Sequence, residues 1–249
     1  MQVLSQAKAK QIRALHQKKE RMATGLFLVE GAKSVLETLK SNWEIAFLLG
    51  TTEFFNQNVQ ATERFSSVAY VAEKAELAKL STFQSNDSAL AVVRKKDLKS
   101  EPDPEAPLWL VLDGLADPGN LGTIIRVADW YGLTEIICLG DGVEWHNPKV
   151  ISSTMGSFLR IQPIFMTMDS LKAIKDRPLL AADMEGSSLF QFQFPDRSTL
   201  LIGNEAHGLS PEVLKICANR ISIPRFGQAE SLNAAMATGI LLNHWRSRL

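Results

Sequence analysis

Cysteine is scarce in this chain. Its 249 residues hold only Cys138 and Cys217, both in apolar surroundings and neither in a CxxC or Cys/His spacing. That excludes a disulfide framework and a zinc or redox centre built on thiolates, and leaves both expected as buried free thiols. Histidine is thin as well: His16, His146, His207 and His244 are scattered, so no metal site is expected. Long apolar runs are missing too. No stretch reaches the roughly 18 residues of a membrane span, and the charged N-terminus is not followed by the apolar core of a secretory signal. A basic N-terminal helix also opens organellar presequences, but here it runs straight into a strand without a Ser/Arg-rich spacer. The expectation is a soluble, cytoplasmic protein with no membrane association. Net charge is zero, 27 Lys and Arg against 27 Asp and Glu, so the whole molecule has no field that would announce a polyanionic partner.

What the chain does have is a globular composition, 45% hydrophobic and 22% charged, at a length where one core often divides into two. Its charge is uneven. The first forty residues carry eight basic side chains (Lys8, Lys10, Arg13, Lys18, Lys19, Arg21, Lys33, Lys40) against three acids (Glu20, Glu30, Glu37), so a local basic surface is expected there. From Lys95 to Pro107 the sequence KKDLKSEPDPEAP packs three prolines and seven charges, which exclude a buried strand or a regular helix and mark an interdomain linker. Before it, a helical pattern from Val3 to Met22 leads into alternating strands and helices: Leu26 to Glu30, Ala32 to Leu39, Ile45 to Leu49, Ser67 to Val71, Glu73 to Leu80 and Ala89 to Val93. This reads as a small α/β domain over residues 1–97, with 98–107 as linker.

Residues 108–249 alternate more strongly. Near-continuous apolar strands at Leu108 to Asp113, Ile136 to Leu139, Ile161 to Phe165, Leu179 to Ala182, Leu200 to Gly203 and Ile221 to Pro224 are interleaved with helical segments, from Asn120 to Tyr131 and finally Ser231 to Trp245. Such strands belong to a parallel sheet covered on both faces, whose ligands bind at the carboxyl ends of the strands.

Three segments lie at such ends. In DGLADPGNLGTIIR, Asp113 to Arg126, Pro118 and Gly119 shape a turn and Asn120 is placed to cap the following helix. Arg126 falls among Ile124, Ile125 and Val127, either as a snorkelling surface residue or as a bidentate anion reader. In LLIGNEAHGL, Leu200 to Leu209, a strand runs into Gly203, Glu205 and Gly208, where backbone can approach a ligand closely. Glu205 and His207 alone make no metal site, and the glycine spacing is not that of a dinucleotide fold, so a dehydrogenase reading fails. In IPRFGQAESLNAAMATGIL, from Ile223, a strand ends before a helix that opens near Ser231, which puts Ser231 and Asn233 in its first turn.

Together, in this order, the three segments closely resemble the signature motifs of the SpoU (TrmH-like) RNA ribose methyltransferases of the SPOUT superfamily. Asn120 and Arg126 match the first motif, Gly203, Glu205, Gly208 and Leu209 the second, and Ile223, Pro224, Ser231, Leu232 and Asn233 the third. The stretch NPKVISSTMGSFLR, Asn147 to Arg160, also resembles the family, although Ser152 stands where a basic residue is common. Upstream, FLVEGAKSVLE looks like the ribosomal-protein-like substrate-binding module fused to many members. There Ser85-Asn86-Asp87-Ser88-Ala89 replaces a frequent Pro-Gln-Gly turn.

The resemblance implies a homodimer with a deep trefoil knot in its parallel-sheet domain, using S-adenosylmethionine without a metal to methylate a ribose 2'-hydroxyl, with ribosomal rather than transfer RNA expected. It assigns Arg126, Asn120, Glu205, Ser231 and Asn233 to the reaction, and Gly203, Glu205, Gly208, Ile223 and Leu232 to the cofactor. Lys10, Arg13, Lys18, Lys19, Arg21 and Arg160 are the expected RNA contacts. The alternative is an RNA-binding protein that kept the fold and lost catalysis, which the five intact polar positions argue against.

Overall fold

The structure, a computed structural model, describes residues 2–83, 86 and 88–247. In chain order its first half comprises β1 (Gln2–Val3), α1 (Gln6–Ala14), α2 (Lys18–Thr24), β2 (Leu26–Glu30), α3 (Ala32–Lys40), β3 (Ile45–Gly50), α4 (Thr52–Gln57), α5 (Val59–Thr62), β4 (Ala69–Val71), α6 (Lys74–Leu80) and β5 (Ala89–Arg94). There follow β6 (Leu108–Asp113), α7 (Pro118–Trp130), β7 (Glu135–Leu139), α8 (Pro148–Ser153), β8 (Gln162–Met166), α9 (Met168–Ala173), β9 (Leu179–Ser188), β10 (Ser198–Ile202), α10 (Pro211–Ile216), β11 (Asn219–Ser222) and α11 (Ala234–Arg246). Contacts divide the chain into two compact units, Met1–Asp97 with Glu144–Leu159, and Leu98–Val143 with Arg160–Leu249.

The first unit is a mixed sheet in the order β1-β4-β3-β5-β2, with β5 antiparallel to both neighbours. The period of two along β2 and β5 places successive residues on opposite faces, and both faces are buried. Phe27, Val29, Ala91 and Val93 join Val35, Leu39 and Trp43. Leu28, Leu90 and Val92 join Ile12 of α1 and Leu77 and Leu80 of α6. The first cluster also takes in Ile151 and Phe158, which is why 144–159 folds with this unit although the linear sequence places it among residues 108–249.

Charge fastens the same segment. The Arg21 guanidinium, only 2% exposed, donates from Nε to both Glu144 carboxylate oxygens at 3.2 and 3.0 Å and from Nη1 to the Leu15 carbonyl at 2.7 Å, while Lys95 Nζ lies 3.4 Å from Glu144. This corrects two expectations. Arg21 is an interior ion pair, withdrawn from any phosphate. The helix expected from Val3 to Met22 breaks into α1 and α2, because Gln17 turns extended and Arg21, not a helical N–H, takes the Leu15 carbonyl. Lys10, Arg13, Lys18 and Lys19 stay exposed. Burial pushes the nearby His146 imidazole down to about 3, and the Lys95 and Arg21 charges add to the effect.

The second unit is a wholly parallel six-stranded sheet in the order β11-β9-β10-β6-β7-β8, as its apolar strands predict. One face packs Val111, Ile137 and Leu201 against Leu171 of α9 and Val213 of α10. Helices α7 and α11 bury Ile124, Ile125, Leu241 and Leu242 and pack on each other. The Pro-rich segment has no helix or strand, but it is tied to this unit. Glu135 accepts from the Asp103 N–H at 2.8 Å, and Arg177 donates to the carbonyls of Ala106 and Pro104 at 3.0 and 2.6 Å while stacking on Trp109. Both cysteines are partly covered instead of buried. Gln84, Ser85 and Asp87, where the family turn was compared, lie outside the described residues. Among the described residues no helix is long and apolar enough to cross a membrane.

Candidate active site

In the second unit β6 lies between β10 and β7, so the winding of the sheet reverses at the carboxyl ends of β6 and β10. Open parallel sheets form a ligand crevice at such a point. The loop after β6 enters α7, the loop after β10 spans 203–210, and the loop after β11 spans 223–233 before α11.

These loops are joined by side chains. The first helix is capped not by Asn120 but by Asp117, whose Oδ1 accepts from the Asn120 N–H at 2.7 Å, with Pro118 at the first helical position. That leaves the Asn120 side chain free to point across the crevice. Its Nδ2 donates to Glu205 Oε1 at 2.8 Å, and its Oδ1 accepts from Asn233 Nδ2 at 2.7 Å. Asn233 in turn caps α11, accepting from the N–H groups of Ala235 and Met236 at 2.9 and 3.3 Å. A carboxylate only accepts and helix-end amides only donate, so the two ends of this relay fix the orientation of both Asn side chains.

Glu205 also accepts from the N–H groups of Ala116 and Asp117, each at 3.2 Å. Burial pushes its carboxyl up, but the hydrogen bonds from Asn120 and from backbone N–H groups outweigh that and hold it below the usual carboxylate range. Two further residues, which the sequence reading missed, shape the second loop. Asn204 donates to the Gly114 carbonyl at 2.8 Å and accepts from the N–H groups of Ala206 and His207, while Asp113 Oδ2 accepts from the Ser210 N–H at 2.8 Å. The Asp117-Pro118 pair is a readable cap signal; the roles of Asn204 and Asp113 have no local signature. Gly203 lies so close to the next turn that an added Cβ would sit 2.1 Å from the Gly208 carbonyl carbon.

Residues 107–243 match the model of the SpoU rRNA methylase family, and residues 6–91 match that of the MRM3-like substrate binding domain. The chain belongs to the SpoU rRNA methylase family. It is 31% identical over 244 residues, covering 96% of each chain, to the 23S rRNA (guanosine(2553)-2'-O)-methyltransferase RlmP of Bacillus subtilis. It is 30% identical to the 23S rRNA (uridine(2479)-2'-O)-methyltransferase of Streptomyces viridochromogenes, over 94% of this chain and 88% of the relative. Among solved structures, the AdoMet-bound rRNA methyltransferase of Sinorhizobium meliloti superposes with a TM-score of 0.87 at 28% identity, covering 100% of this chain and 97% of the other.

Placed on this SpoU methylase, the expected site residues divide. Asn120, Glu205 and Asn233 meet in the relay, with Gly203 and Gly208 in the loop that carries Glu205. Ser231 is exposed and lies before α11, not in its first turn, because Asn233 is the cap. Ile223 is partly covered and Leu232 is exposed in the same loop, where residues 224–232 make no backbone-to-backbone hydrogen bond among the described residues. Arg126 stands exposed on α7, and among the described residues its side chain forms no hydrogen bond or ion pair. Arg160, expected on RNA, makes a forked contact to Asp129, at 3.0 Å from Nε and 2.7 Å from Nη2. His207 belongs to no group of potential metal ligands among the described residues.

Proposed function

We propose that this chain transfers a methyl group from S-adenosylmethionine to a ribose 2'-hydroxyl of ribosomal RNA. The observation that carries the reading is the relay Glu205–Asn120–Asn233, which draws the three motif loops together at the switch point of the sheet. The relatives named as 23S rRNA 2'-O-methyltransferases, aligned over nearly the whole chain, support ribosomal over transfer RNA.

The residues present fit the cofactor. Gly203 lies too close to the backbone of Gly208 and Leu209 to carry a side chain. Among the described residues the loop 224–232 makes no backbone-to-backbone hydrogen bond, with only its Ala229 carbonyl accepting from Arg225, so backbone there is left to hold an adenosyl group. Gly203, Glu205, Gly208, Ile223 and Leu232 form this binding set. When bound, S-adenosylmethionine supplies a methyl carbon made electrophilic by its sulfonium. The chain's task is then to orient the hydroxyl in line, take up its proton and stabilise the oxygen as charge develops on it. Arg126, exposed and uncommitted, is the group for the oxygen. Guanidinium groups stay protonated at neutral pH, so it acts by charge and hydrogen bonding, with an RNA phosphate or solvent receiving the proton. Ser231 and Asn233 position the nucleotide from the third loop, and Asn120 and Glu205 hold the first loop in place.

The first unit is the RNA-binding part, with Lys10, Arg13, Lys18 and Lys19 on phosphates. The molecule works as a homodimer in the cytoplasm, and α7 and α11 supply the pairing face, since they expose Trp130 (83%), Met236 (61%) and Ile240 (36%). The trefoil knot of the family belongs to the same reading, in which the C-terminal segment threads a loop; the path of the chain in a crystal structure checks it. Mapping 2'-O-methyl groups in RNA from a strain lacking the gene tests the function. Loss of one ribosomal site is the expected result, whereas loss at a transfer RNA site, or at none, would refute it.

A further inference from the structure

Phe226 is 90% exposed in the loop between β11 and α11. Single exposed apolar side chains are common, so exposure alone decides nothing. Its setting decides more. In sequence Phe226 stands between Arg225, whose guanidinium donates back to the Ala229 carbonyl at 3.3 Å, and Gly227. The Arg225 contact closes residues 225–229 of the loop on themselves. The same loop ends at Asn233, which is bound to Asn120 at 2.7 Å, so Phe226 is carried by the segment that forms one wall of the crevice.

We infer that Phe226 is a stacking platform for an unpaired base of the RNA substrate beside the methylated nucleotide. The inference rests on the functional reading above. Proteins that recognise RNA mostly take hold of single-stranded loops and bulges, whose unstacked bases are received on aromatic faces and guanidinium planes. A phenyl ring next to an arginine, on a loop without backbone pairing, offers that surface without reading sequence.

Full-length Phe226→Ala, Phe226→Leu and Phe226→Trp chains test this against wild type, with a 23S rRNA fragment as substrate. Phe226→Ala raises KM for RNA roughly 5- to 150-fold, the range for losing one base–aromatic stack, while kcat, calorimetric S-adenosylmethionine affinity and mass by light scattering stay as in wild type. Phe226→Trp restores KM, and Phe226→Leu, similarly apolar but without a π-face, does not. Unchanged RNA KM in Phe226→Ala, or rescue by leucine, overturns the inference. So does a loss confined to cofactor affinity, which would place the ring on the adenine, or to the dimer mass, which would place it between subunits. A wild-type chain that methylates the fragment while Phe226→Ala behaves normally sinks this inference alone. A wild-type chain that methylates no RNA sinks the functional reading, and this inference with it.

Discussion

Removing the Glu205 carboxylate should unfasten the first loop before it disturbs any chemistry. Oε1 takes two donors, Asp117 N–H and Asn120 Nδ2, and Oε2 takes Ala116 N–H. In Glu205→Ala all three lose their acceptor. Hydrogen bonds contribute a net of about 0.5–1.5 kcal/mol each, and this side chain is exposed, so water recovers part of the loss and about 2–3 kcal/mol is expected in total. For a chain of this size that lowers Tm by about 4–12 °C. Glu205→Gln keeps one oxygen but turns its amide N–H₂ toward a donor, so about half of that loss is expected. Because the native carboxyl is held below its ordinary 4.5, its contribution is fully present above that pH and fades as pH falls through the depressed value; Glu205→Gln lacks this dependence. Calorimetric melting and single-turnover methyl transfer with saturating RNA are the assays. Wild-type melting in Glu205→Ala together with a large loss of rate, and a shifted pH–rate profile in Glu205→Gln, would show that the carboxylate handles the proton and that the reasoning is wrong.

Arg126→Ala should keep cofactor affinity yet lose about 100-fold or more in single-turnover rate, with little rescue by Lys, which lacks the planar fork; a near wild-type rate would reduce Arg126 to positioning. The wild-type chain should lose stability as pH falls from 6.5 toward about 3, because the unfolded His146 imidazole takes a proton that the buried one refuses; denaturant titrations of His146→Phe should show that part of the curve flattened. Glu144→Ala should destabilise the first unit by about 3–5 kcal/mol by leaving the buried Arg21 charge unpaired, read as a lower urea midpoint. Trp130→Arg combined with Met236→Glu should give a monomer by light scattering, and an intact dimer would move the pairing face elsewhere.

Much was legible along the chain. The apolar run Leu108 to Asp113 is β6 to the residue, Leu26 to Glu30 is β2, and the continuous hydrophobicity of the second-unit strands predicted a parallel sheet. Such segments are decided locally, since burial on both faces leaves no polar position to break the pattern. Asn120, Glu205 and Asn233 were legible too, as motif positions, though not what each one touches. Errors fell where the deciding partner is remote in sequence. The turn around Asn120 points to a cap at that residue, but Asp117 sits in the extended conformation that a cap requires, and Asn120 is held by residues 85 and 113 positions away. Arg21 looked like part of a basic surface because its neighbours are basic.

The sequence by itself determined most of the strands, the order of the motifs and the family, because these depend on residue type and short spacing. It did not determine β1, the extension of β9 to Ser188 or the start of β11 at Asn219. Only the tertiary structure decided that 144–159 completes the core of the first unit, that Glu144 neutralises Arg21 across 123 positions, and that Asn204 and Asp113 clamp the second loop. A buried charge or a free amide must find a partner, but its energy depends on distance in space, and a linear pattern holds no record of which distant residue the fold will bring within hydrogen-bonding range.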